Sequence, residues 1–131
     1  MVIGELLGRV HYLLLFALAS GGLVLALGAS NLIRRIAGLA LAFMALILFF
    51  AAAGVLPGAN APIVDPRSAL PATIYSNPLP QALMLGFVVV AGAVLLLATA
   101  IAIRIRESYG GVEAAEIAAA DETEDAAERA P

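Results

Sequence analysis

Ala82–Ile103, reading ALMLGFVVVAGAVLLLATAIAI, is a run of 22 residues without a charged side chain. As an α-helix at ~1.5 Å per residue it reaches about 33 Å, enough to cross the hydrocarbon core of a bilayer. Two more charge-free runs, Tyr12–Ala29 and Ile36–Leu56, have 18 and 21 residues and pass the same length test. Backbone groups in lipid have to be satisfied within their own segment, so each run is predicted to be helical. The β-branched Val88, Val89 and Val90 do not alter this, because that requirement outweighs their weak propensity. The expected fold is an all-α membrane protein, a bundle of three transmembrane helices at about 10–29, 32–56 and 78–106.

Composition supports this. Hydrophobic residues make up 63% of the 131 and charged residues 13%, about half the ~25% usual in soluble domains. A soluble fold of this size has too little interior to hide so much apolar surface. Cysteine is absent, which removes disulfides, thiolate metal sites and cysteine nucleophiles. The net charge of −3 averages two unlike parts: residues 1–106 carry six Arg against two acids, and residues 107–131 carry eight acids against one Arg. The acidity belongs to the tail and says nothing about an acidic active site.

Orientation follows the arginines. Arg34 and Arg35 lie between the first two runs, and Arg104 and Arg106 close the third. The segment 57–77 has only Arg67, offset by Asp65. The first connection and the C-terminus are therefore expected in the cytoplasm, with the N-terminus and 57–77 outside. The flank Glu5/Arg9 and the pair Arg34–Arg35 after the first run have the wrong charge bias for a cleaved signal peptide. Tyr12 and Tyr75 fall near the outer interface and Tyr109 near the inner one, where amphipathic rings settle. Ser30 and Asn31 are expected to cap the second helix in a tight antiparallel hairpin. The second connection holds Pro57, Pro62, Pro66 and Pro71; a loop of that length implies an ordered contact or a functional role. The tail from Glu107 is expected to begin as an extension of the third helix and to end, from Asp121 to Pro131, without order.

An ionisable side chain inside a membrane usually marks function, and the three apolar runs contain none; their polar side chains are Tyr12, Ser20 and Thr99, with Gln81 at the edge of the third. A cation or proton carrier needs a group at mid-depth to replace the ion's hydration shell. Glu5 can be neutralised by Arg9 four residues on. His11 is the single histidine, and one histidine without a partner makes no relay. No metal-ligand spacing, nucleophile–base pair or phosphate-binding glycine loop occurs, so no enzymatic activity, cofactor, metal or nucleic-acid partner is expected. The runs do offer close packing through small residues four apart: Gly38 and Ala42, Ala82 and Gly86, Ala98 and Ala102, and Gly21–Gly22 flanked by Ala17 and Ala26.

The lead-in to the third run is Asn77-Pro78-Leu79-Pro80-Gln81-Ala82-Leu83. Chemically it is a helix start, with Asn77 as N-cap, Pro78 in the first position and Pro80 still within the first turn. The phrase resembles the Asp-Pro-Leu-Pro-Gln-Ala-Leu start in the C subunit of multisubunit Mrp/Mnh-type Na+/H+ antiporters. Asn31-Leu32-Ile33-Arg34 with Ile36 and Gly38-Leu39 resembles the same family, as does the three-span layout over roughly 12–106. The small K-type subunits of respiratory NADH dehydrogenase and of membrane-bound hydrogenases are in the same superfamily. Position 77 departs from the pattern in being Asn. Met44 and Ile47 stand where family members often carry His and Asn, and the glutamates of K-type spans are missing.

The resemblance implies a small structural subunit of a monovalent cation/proton antiporter in a bacterial or archaeal plasma membrane. Its partners would be the lipid bilayer and the other membrane subunits, including large antiporter-like ones that carry the ions. Asn31, Leu32, Ile33, Arg34 and Asn77, Pro78, Leu79, Pro80, Gln81 would be its family motif and subunit contacts. The alternative is the K-type subunit of a redox-driven proton pump, either NADH dehydrogenase or a membrane-bound hydrogenase. A third reading is a stand-alone membrane protein whose acidic tail recruits a cytoplasmic partner.

Overall fold

The computed structural model describes the chain except residues 1, 55, 57, 62, 64–73, 130 and 131, and describes residues 2–8 and 128 by backbone only. Four helices follow one another: α1 Val2–Gly28, α2 Leu32–Ala53, α3 Leu79–Tyr109 and α4 Ala114–Glu128. Three of them carry stretches long and apolar enough to cross a membrane: Arg9–Gly28, Leu32–Ala53 and Leu79–Tyr109. The chain is thus an all-helical, multi-pass membrane protein with a short C-terminal helix.

Local chemistry sets the boundaries. Asn31 starts α2 from an extended backbone (φ −93°, ψ 126°), and its side-chain oxygen accepts from Ile33 N at 2.9 Å and Arg34 N at 3.3 Å. These are two of the amides a helix start leaves without partners. Ser30 does not share the capping; its carbonyl accepts from Ala114 N instead. Gly110 ends α3 in the left-handed region (φ 76°), its N–H bonded to Arg106 O at 3.0 Å, a stop that glycine makes without steric cost. The tail continues α3 as far as Tyr109, turns at Gly110 and then begins a separate helix, α4, which runs to Glu128.

The seams between helices are built from small and aromatic residues. Gly22 and Gly38 let α1 and α2 meet at backbone distance: a Cβ on Gly22 would lie 2.6 Å from Ala42 N and 2.7 Å from Gly38 O. Ala42 and Ala45 are buried in the same seam. Of the two adjacent glycines only Gly22 is used; Gly21 faces open space. Between α2 and α3, Phe87 meets Phe43 edge-on at 5.6 Å and Phe50 at 6.2 Å between centroids, and Ala91 and Ala102 are buried. The expected Ala82/Gly86 pair plays no part: both are exposed, and a Cβ on Gly86 would meet nothing. That stripe is turned by about 100–140° around α3 from Phe87.

Helix α2 lies in the middle. It packs on both α1 and α3, which among the described residues hardly touch each other. The three spans accordingly form a layer one helix thick. Among the described residues only Ala42, Ala45, Ala91 and Ala102 form the buried hydrophobic set, whereas Leu27 is 81% and Phe16 and Leu96 are each 74% exposed. Surface of that kind belongs against lipid or neighbouring apolar helices.

Candidate functional site

The two motifs singled out in the sequence lie at opposite ends of α2. At one end, α3 begins at Leu79, with Pro78 already in helical dihedrals (φ −80°, ψ −9°) just before it. Asn77 Oδ1 accepts from Leu79 N at 3.0 Å, and Pro78 O accepts the first helical bond from Ala82 N at 3.1 Å. Pro80 occupies the first turn, where its missing N–H costs nothing. The lead-in packs against the end of α2. Gly54 is buried, and a Cβ there would collide with the Gln81 side chain and approach Asn77 O to 2.9 Å.

The long connection is pinched at the same end. Asn60 N donates to Ile74 O and Ser76 N to Asn60 O, both at 2.9 Å. Pro62, Asp65, Pro66, Arg67 and Pro71, which give it its proline-rich, nearly neutral character, lie outside the described residues, as does Pro57. Tyr12 reaches across to α2, its hydroxyl 3.4 Å from Ala52 O and its ring edge-on to Phe49. His11 is exposed and stacks on Tyr12 at 4.0 Å. The side chain of Glu5, and with it the expected pair with Arg9, is outside the described residues.

At the other end, Asn31 does more than cap. Its amide nitrogen donates to Glu113 Oε1 at 2.7 Å. Around this bond the two connections pair as a short antiparallel bridge: Leu32 N donates to Val112 O and Ala114 N to Ser30 O, each at 3.0 Å. Glu113 in turn receives order from α4, its N–H bonded to the Glu116 carboxylate at 3.3 Å. Sequence reasoning missed Glu113. Its spacing to Glu116, just ahead of an alanine-rich run, was the available signal for a helix start. Leu32 is half-buried, Ile33 and Arg34 point outward, and Arg35 Nε donates to Ala29 O at 2.6 Å.

Between the two ends the described side chains of the spans include no ionisable group. Ser20 Oγ donates to Phe16 O at 2.8 Å and Thr99 Oγ1 to Leu95 O at 2.7 Å. Each satisfies its hydroxyl within its own helix. Met44 is 53% exposed and Ile47 half-buried, both apolar at the positions where the antiporter resemblance implies polar groups. Among the described residues no three His, Asp or Glu come together as a metal site. The arrangement can fix helices relative to one another; it supplies no acid, base or ligand at mid-depth.

Asn77→Ala removes the acceptor of Leu79 N–H, at a cost of about 1 kcal/mol, and Gly54→Val drives a side chain into Gln81. Both are expected to lower the yield of associated subunits when the chain is purified in mild detergent. Wild-type yields from both variants would show that this end does not position a partner.

Comparison with known proteins agrees with the fold. A chain in the solved structure of the membrane-bound sulfane sulfur reductase, an archaeal respiratory membrane complex, is similar with a TM-score of 0.67 and 29% identity. The match covers 79% of this chain and 92% of that one. No curated protein sequence matches significantly. The family model of NADH-ubiquinone/plastoquinone oxidoreductase chain 4L matches residues 10–122, which include most of α1, the whole of α2 and α3, and more than half of α4. With most of its length so matched, this chain belongs to the NADH-ubiquinone/plastoquinone oxidoreductase chain 4L family.

Proposed function

We propose that the chain is a small K-type membrane subunit of a multisubunit respiratory complex, which holds larger membrane neighbours in position and passes no ion itself. The family match over residues 10–122 is the observation that carries this reading, and the likeness to a chain of an archaeal respiratory membrane complex supports it. The order of the two leading expectations is thereby reversed, with the redox-driven assembly now ahead of the antiporter. In this reading the arginine-bearing end faces the cytoplasm and the proline-rich connection faces outward. The subunit has no catalytic role of its own, and the proton path runs through neighbours.

The antiporter reading stays second because two observations favour it. The lead-in Asn77–Leu83 resembles the antiporter C subunit, and α2 and α3 lack acids between Leu32 and Ile103. Purifying the tagged chain from its own membranes and identifying its companions separates the two. Flavin or iron–sulfur proteins among them are expected. A set made only of antiporter subunits would reverse the order again, and a chain that comes alone would end both.

A further inference from the structure

Four arginines, Arg34 and Arg35 at the start of α2 and Arg104 and Arg106 near the end of α3, are all exposed. The acidic tail follows directly, yet among its described residues none pairs with them. Among the described residues the one ion pair is Arg129–Asp125, within α4 itself. Arg35 is steadied by its bond from Nε to Ala29 O, so its stem is fixed, and among the described residues its terminal nitrogens pair with no carboxylate. A concentration of unpaired guanidinium groups beside an apolar layer is a charge distribution awaiting an anion.

The surface beneath these charges is shaped. A ridge of Ile101 and Ile105 runs along α3, with a hollow on each side. The hollow toward α2 is lined by Leu32, Ile36, Ala98 and Ala102 and bordered by Arg35. The one on the other side is lined by Ala100, Ser108 and Tyr109 and bordered by Arg104. Each pairs an apolar trough with one cation. No carboxylate lines either hollow, so a zwitterionic headgroup would leave its ammonium unmatched.

We propose that these two hollows seat an anionic phospholipid, its phosphodiester taken by Arg35 and Arg104 and an acyl chain lying on each side of the Ile101–Ile105 ridge. Basic recesses between membrane helices bind acidic headgroups in this way, and the ring of apolar side chains is what separates a lipid from free phosphate. The inference does not depend on which complex the chain serves.

The test uses the full chain, purified with its companions in mild detergent and titrated with phosphatidylglycerol, phosphatidylcholine or water-soluble glycerol phosphate under native mass spectrometry. Retained phosphatidylglycerol is expected, with phosphatidylcholine weaker and no displacement by glycerol phosphate. Arg35→Gln and Arg104→Gln should each weaken retention about fivefold, whereas Arg129→Gln should not. Ala98→Leu and Ala100→Leu, which fill one hollow each and leave every arginine in place, should weaken it as well. Equal retention of both lipids, displacement by glycerol phosphate, or indifference to both leucine variants would overturn the proposal. So would release of a companion subunit by Arg35→Gln without any change in lipid, which would put an acidic segment of that subunit in the hollows instead.

Discussion

Replacing Gly38 by valine is expected to force α1 and α2 apart and to destabilise the membrane domain by about 1–3 kcal/mol, the range for overpacking a filled interior. The reason is which atoms stand in the way. A Cβ at Gly38 would lie 2.7 Å from Gly22 O and 2.9 Å from Leu25 C, both backbone. A side-chain tip can rotate aside; the main chain of a helix in lipid cannot, because its hydrogen bonds have no replacement there. Gly22→Val should do the same from the other side. Gly21→Ala is the control: nothing lies within 4 Å of its Cβ, so it should be neutral or slightly stabilising through helix propensity. The thermal midpoint of the full chain in detergent reads all three. A Gly38→Val protein that melts with the wild type would mean that α1 and α2 do not meet at backbone distance.

The second large effect is expected at Asn31, whose two functions come apart in one substitution. Asn31→Asp keeps the oxygen that accepts from Ile33 N and Arg34 N, but turns the donor facing Glu113 into a second carboxylate. Helix α2 should keep its start. The bridge that holds Leu32 to Val112 and Ser30 to Ala114 should open, and the amides of residues 112–117 should exchange with solvent at least about tenfold faster, the equivalent of ~1.4 kcal/mol. Asn31→Ala loses the cap as well, by about a further 1 kcal/mol, and should add faster exchange at Ile33 and Arg34. Unchanged exchange at 112–117 in Asn31→Asp would show that the backbone pairing holds α4 without the side chain.

Much of this architecture is legible in the order of the amino acids alone, and the limits have physical causes. The three spans can be read because lipid allows one solution for an apolar run of that length. Asn31 as a cap can be read because capping is a local event between neighbours in sequence. The Gly38–Ala42 stripe is legible too, but its counterpart is not: Gly21 and Gly22 differ by about 100° around the helix, and only the crossing decides which one faces inward. Ala82 and Gly86 have the right spacing and the wrong face, since Phe87, about 100° or more around α3 from both, is what meets α2. The bond from Asn31 to Glu113 spans 82 positions, and no periodicity reports a contact of that separation. The motif residues can be named from sequence, but that Gln81 and Asn77 crowd a buried Gly54 follows from three-dimensional packing alone.

Because α1 and α3 sit on either side of α2 with, among the described residues, almost nothing between them, the three spans have the shape of a thin partition. Whatever stands against one broad face is about 10 Å from whatever stands against the other, one helix diameter away. The partition holds no charge of its own between Tyr12 and Ala29, Ile36 and Leu56, or Ala82 and Ile103, so it behaves as a dielectric sheet. Two unit charges held by different neighbours across it interact by about 1.7 kcal/mol at an effective dielectric constant of ~20. Gaining a proton on one side would thus be felt on the other as roughly a tenfold change in affinity, with no helix having moved.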